Sequence, residues 1–176
     1  WSSDVCSSDL EIAQHLFDLG KVAEAICLYE AAVQLAPMQP ACIIGLGEAY
    51  EHANDIASLI ALYKEALFRD PGQEQIALRL HAVFSLYADV SSSMKFWKSL
   101  ADAHPDSSLP WLYVGKILEQ QNFLDDAYEA YGHVSHRQSS HGEAIFRQGA
   151  LDILSNRIDS GIEKLHKAVQ SNGALA

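Results

Sequence analysis

The stretch Trp111-Leu112-Tyr113-Val114-Gly115-Lys116-Ile117-Leu118-Glu119-Gln120-Gln121-Asn122-Phe123-Leu124-Asp125-Asp126-Ala127-Tyr128-Glu129-Ala130-Tyr131 decides the fold. Asn122 divides two helical patterns, and Asn and Gly are the residues that accept the left-handed conformation ending a helix. A step of 34 residues from Tyr131 meets Trp97, Tyr63 and Tyr29 on one side and Leu165 on the other. The same step from Asn122 meets Asn54, Gly20 and Asn156, with Ala88 standing in the third place. Pro37, Pro71 and Pro105 keep the same interval.

Further columns agree in phase. Small residues run Ala13, Gly47, His81, Gly115, Gly149, and mostly small ones Ala32, Ala66, Leu100, Val134, Ala168. Apolar ones run Leu10, Ile44, Leu78, Leu112, Phe146 and Val22, Ile56, Val90, Leu124, Ile158. Self-similarity at a fixed period of this length is the signature of stacked supersecondary units. On both sides of each break the apolar residues fall at i, i+3, i+4, i+7, as in Ile56-Leu59-Ile60-Tyr63-Leu67, so each unit is a pair of antiparallel helices. The expected pairs are 10–19 and 22–36, 41–53 and 56–69, 74–87 and 90–103, 108–121 and 124–137, and 142–155 and 158–171. The repeat units fall at 6–39, 40–73, 74–107, 108–141 and 142–175, within a folded region of 10–173. Breaks are expected near Gly20, Asn54, Ala88, Asn122 and Asn156, and Tyr63, Trp97 and Tyr131 should be buried between helices.

Trp111, Val114, Gly115, Leu118, Ala127, Tyr131 and Val134 resemble the pattern of the tetratricopeptide repeat family, with Ser139 where that family has Pro. The resemblance covers essentially 10–173. It implies an all-α, right-handed α-solenoid of about five helix-turn-helix repeats, whose first helices line a concave groove that binds protein or peptide. The chaperone-tail clamp of some relatives is not carried over, because the matching sites are Leu10, Gln14, Gly45, Gln75 and Arg79, of which Arg79 alone agrees.

A glycine inside a helix costs about 1 kcal/mol relative to Ala, so Gly47, Gly115 and Gly149 call for a close approach of helices. The column twelve residues later reads Ala25, Leu59, Ser93, Ala127, Gly161, and a large residue on one side faces a small one on the other. The expected pairs are Gly47 with Leu59 and His81 with Ser93, a volume exchange at one contact. His81 is then a packed imidazole.

With 12 basic and 23 acidic residues the net charge is −11, which repels a phosphate backbone, and nucleic acid is not an expected partner. No apolar run reaches the ~20 residues of a membrane-spanning helix, and no secretory signal opens the chain. A cytoplasmic setting is the expectation, allowing for an upstream targeting segment. Asp4 to Leu10 resembles an in-frame translation of a sequencing adapter, which sets residues 1–9 apart and, with no initiating Met, suggests that the natural chain starts further upstream. Cys27 and Cys42 lack the spacing of a zinc site or disulfide framework and read as small buried hydrophobes.

Catalytic chemistry finds no pattern. Serines lack the Gly-x-Ser-x-Gly elbow, glycines follow the repeat instead of forming a phosphate loop, and carboxylates are scattered over helix faces. His133, His136 and His141 are the densest potential metal ligands, yet no further ligand accompanies them, and they read as solvated surface. No metal, cofactor or catalytic residue is expected.

The groove remains. Ile44, Leu78, Leu112 and Phe146 should line it, with Arg79, Tyr113 and Arg147 in the adjacent column and Lys116 one turn from Leu112. The first two units offer Glu11, Asp18, Glu48 and Glu51, so the groove should grade from acidic to basic. Arg pairs with carboxylate bidentately and Tyr stacks on extended chain, so an acidic or C-terminal peptide is the expected ligand. The function read from this is a non-enzymatic interaction scaffold. The alternatives are a substrate-recruiting arm of a glycosyltransferase- or sulfotransferase-type enzyme and an envelope assembly factor. Apolar surface around Ile158, Ile162 and Leu165 should be partly uncovered.

Overall fold

The computed structural model describes residues 2–134 and 140–173 and contains ten helices and no strand among them. They are α1 (Ser2–Asp18), α2 (Val22–Leu35), α3 (Pro40–His52), α4 (Ile56–Arg69), α5 (Glu74–Tyr87), α6 (Val90–Ala103), α7 (Leu109–Gln120), α8 (Leu124–Gly132), α9 (His141–Leu154) and α10 (Ile158–Gly173). Each second helix begins at its expected residue. The helices divide into two compact units, Trp1–Ala88 and Asp89–Ala176. In the first, each of α1 to α5 packs on the next, and α3 also touches α1 and α5. In the second, α6 to α10 pack in the same sequential manner.

The helix breaks fall where the repeat places them, and their hydrogen bonds explain why. Gly20, Asn54, Asn122 and Asn156 have φ of 76°, 58°, 63° and 62°. At Asn54 the N–H donates to the Glu51 carbonyl (3.0 Å) and the next N–H, of Asp55, reaches back to Tyr50 (2.9 Å). The same two bonds recur from Gly20 and Lys21, from Asn122 and Phe123, and from Asn156 and Arg157. This is the Schellman ending, in which one left-handed residue satisfies two otherwise orphaned carbonyls. Ala88 instead is extended (φ −119°, ψ 157°), and the turn there relies on Asp89, which accepts from the Ser92 N–H at 2.7 Å to cap α6.

Two boundaries differ from the sequence expectation by more than two residues. α1 begins at Ser2, because nothing from Ser2 to Asp18 is Gly or Pro and the segment set apart continues the helix. α8 ends at Gly132, not at 137. Gly132 is a poor helix former, and the N–H groups of His133 and Val134 turn back onto Ala130 and Tyr131, both at 3.2 Å. The His133 ring then stacks on Trp111 with centroids 4.3 Å apart. Residues 135–139, among them His136 and Ser139, lie outside the described residues. Pro40 opens α3 and Pro110 lies in the first turn of α7, where a missing N–H costs little.

The aromatic column is the centre of the packing, with Tyr29, Tyr63, Trp97 and Tyr131 all buried. Burial of a side chain of that size contributes roughly 2–3 kcal/mol. The glycines exist to admit these rings. A Cβ on Gly47 would lie 2.1 Å from the Tyr63 hydroxyl, and one on Gly115 would lie 2.4 Å from Cε1 of Tyr131. The closest neighbours are thus sixteen residues on, not the expected twelve. The exception explains the rule: in the last repeat Leu165 replaces the aromatic, and a Cβ on Gly149 would meet the Gly161 carbonyl at 3.0 Å. Where no ring intervenes, the two backbones close up. Cys42 is buried as expected, but Cys27 is exposed.

Candidate functional site

The column adjacent to the one expected to line the groove (Gly45, Arg79, Tyr113, Arg147) lies sixteen residues after the aromatic column, and that offset determines what its side chains do. Tyr29 lies against Gly45, where a Cβ would come within 2.5 Å of Cε1. Trp97 stacks on Tyr113, centroids 4.4 Å apart and planes 19° from parallel. Arg79 and Arg147 follow Tyr63 and Tyr131 at the same offset, and both rings feel their charge. Each buried ring of one repeat therefore rests against the first helix of the next.

In the second unit this produces a continuous chain of contacts. Tyr113, buried on Trp97, carries the Lys116 ammonium 4.8 Å from its ring centroid. Lys116 Nζ pairs with Glu143 Oε1 at 2.9 Å, and Arg147 Nε donates to the same oxygen at 3.0 Å. Arg147 Nη1 bonds Glu119 Oε2 at 3.0 Å, which also accepts from the Tyr131 hydroxyl at 2.6 Å. Burial would raise the Glu143 pKa, but Lys116 and Arg147 outweigh it and hold the carboxyl below its usual range. Burial and the adjacent Glu119 push the Tyr131 phenol up. The first unit has a shorter version: Arg79 Nη2 donates to Glu48 Oε1 at 2.8 Å, and burial pushes Tyr63 up to about 12.

The sequence-derived site residues separate into two groups. Leu78 (60% exposed) and Phe146 (54%) stand open, Ile44 is half-buried, and Leu112 and Tyr113 are buried. Arg79, Lys116 and Arg147 are paired with carboxylates. Arg79 and Ile44 lie in the first unit, Tyr113, Lys116, Phe146 and Arg147 in the second, and it is this last set that one unit brings together. His133 lies on Trp111, and His141 Nδ1 approaches the Val134 carbonyl at 3.3 Å.

A buried cluster escaped the sequence reading. Asp152 is 0% exposed in a column otherwise occupied by Leu16, Tyr50, Phe84 and Leu118. Its carboxylate takes Arg157 Nε at 2.7 Å, Ser160 Oγ at 2.8 Å and Lys164 Nζ, which also donates to the Tyr128 hydroxyl at 2.7 Å. Burial alone would raise its pKa, yet Lys164, Arg157 and Ser160 bring it down to about 2. The available signal was a carboxylate in an apolar column.

Residues 10–74 match the sequence profile of the tetratricopeptide repeat. That stretch carries the tetratricopeptide-repeat pattern. Solved structures with the same fold cover nearly all of it. The protein YrrB, described as a tetratricopeptide-repeat protein with an unusual peptide-binding site, is 16% identical with a TM-score of 0.54, over 93% of this chain and 84% of its own. MamA from Desulfovibrio magneticus (residues 41 to the end) is 14% identical with a TM-score of 0.58, over 99% and 98%. PilF of Pseudomonas aeruginosa is 10% identical with a TM-score of 0.60, over 97% and 78%. No curated protein sequence matches the chain. The fold is that of an all-α tetratricopeptide solenoid, which supports a role in protein–protein interaction. Among the described residues, no helix is long and apolar enough to cross a membrane.

Proposed function

We propose that the chain is a scaffold without catalytic chemistry of its own, holding a peptide or partner segment along the faces of its first helices. One recurring arrangement carries this reading. Leu78-Arg79 in the first unit and Phe146-Arg147 in the second are two repeats apart in sequence, and in both an exposed apolar side chain precedes an arginine tied to a glutamate of the preceding first helix. Exposed apolar area supplies binding energy, while anchored charges fix orientation and exclude wrong partners. Leu112 and Tyr113 serve from beneath, as the packed support that keeps Lys116 in place. A large side chain open to solvent beside an ordered ion pair is poorly explained by stability alone, because it buries little and orders much.

The test is capture from a lysate of the source cells with the full chain and with the Leu78→Asp, Phe146→Asp double variant. Both sites are exposed, so the variant should keep its helical content and melt within a few degrees of the parent. Loss of a saturable set of captured proteins is expected. Equal capture by both would place the binding surface elsewhere.

A further inference from the structure

Gly142, Glu143, Phe146 and Arg147 of α9 face Ala168 and Val169 of α10 across an open cleft of about 400 Å³. Gly142 and Ala168 are buried and close its floor, while Phe146 and Val169 (70% exposed) stand as apolar sides. Pockets that hold small ligands run from about 300 to 1,000 Å³, so this one suits one or two side chains and little more.

Its charges are already balanced. Glu143 receives both Lys116 and Arg147, and Arg147 is shared with Glu119. An acidic ligand would have to displace two carboxylates that already sit at hydrogen-bond distance, and a basic one would have to displace Lys116 and Arg147 from Glu143. An uncharged apolar side chain displaces none of them. Arg147 commits Nε and Nη1 to these carboxylates.

We infer that this cleft is an anchor subsite of the groove, taking a Leu- or Phe-sized side chain from an uncharged stretch of peptide and not an acidic tail. The inference rests on the scaffold reading and deepens it. Charge compensation in the lining is also why this proposal departs from the acidic ligand expected from a row of basic residues: counted by type the row is cationic, but its cations are paired with carboxylates.

The experiment uses the full chain and three fluorescein-labelled decapeptide pools on a Ser/Gly/Asn background. One pool carries a fixed central Leu or Phe, one a fixed pair of Asp or Glu, and one neither. Anisotropy at low and at high salt should show the apolar pool binding best with little salt dependence. Phe146→Ser and Val169→Ser, both at exposed positions, should each weaken it by roughly tenfold to a hundredfold, the loss expected for an anchor side chain's burial. Tighter, salt-sensitive binding of the acidic pool that still requires Phe146 or Arg147 would overturn the inference and leave the scaffold reading standing. Apolar binding unchanged in both variants would also overturn it. Binding of no pool would count against the groove itself. Sedimentation that shows self-association abolished by Val169→Asp would make a second copy the occupant and overturn the peptide assignment.

Discussion

Replacing Asp152 by Asn removes the charge of a fully buried carboxylate and leaves its shape nearly intact. The carboxyl is held at about 2, against an ordinary 3.8, by bonds from Lys164, Arg157 and Ser160 that overcome its burial. A shift of that size corresponds to ~2 kcal/mol in favour of the folded state. The sign follows from the folded pKa being depressed: the stabilisation is fully present above pH ~4 and is lost as pH falls towards 2. Asp152→Asn should therefore cost ~2 kcal/mol at neutral pH, moderated because Arg157 is half-exposed and can turn to solvent. Urea unfolding followed by circular dichroism at pH 7 and at pH 3 reads the cost, and amide exchange across α9 and α10 localises it. The parent should lose stability on acidification that the variant no longer has to lose. Asp152→Leu, which restores the side chain of the Leu16 and Leu118 positions but leaves Lys164 and Arg157 without their carboxylate, should cost at least as much as Asn, since removing one partner of a buried ion pair strands the other. An Asn variant with parental stability at pH 7, or with the parent's full acid sensitivity, would refute the assignment of the depressed pKa to this cluster.

Gly115→Ala places a methyl 2.4 Å from the Tyr131 ring and should cost roughly 1–3 kcal/mol. Combined with Tyr131→Leu, the residue type that the last repeat has at Leu165, the two losses should sum to less than additive in a double-mutant cycle; strict additivity would mean that the ring is not the reason for the glycine. Asn122→Ala should cost ~1 kcal/mol, because Ala is disfavoured at φ 63°, whereas Asn122→Gly should be nearly neutral by thermal melting. Ala88→Gly, at an extended position, should gain nothing from the same substitution.

The 34-residue period made the helix positions legible, since a residue type that recurs in phase occupies the same environment in each repeat. It placed Val22, Ile56, Val90, Leu124 and Ile158 at helix starts and buried the aromatic column. It could not say which residues of the groove column and its neighbour face outward, because that depends on the ring fifteen or sixteen residues earlier. Tyr113 follows Trp97 and is drawn under it, while Phe146, on the first helix of the next repeat, stands open. Nor could it show that Arg79 and Arg147 are engaged, because their partners Glu48 and Glu119 lie 31 and 28 residues earlier, off any shared column. Asp152 was missed for the opposite reason: its column was apolar everywhere else, and one exception in a repeat reads as noise until its partners are seen.

The Schellman endings bear on how the chain comes to be folded. A helical hairpin whose turn is closed by two bonds within six residues pays little loop entropy to form, so it can appear before its neighbours are in place. Four of the five hairpins have that local closure, and the one lacking it, at Ala88, is where the two compact units divide. Locally closed hairpins therefore lie on each side of Ala88, two within each compact unit, and are the elements expected to form first.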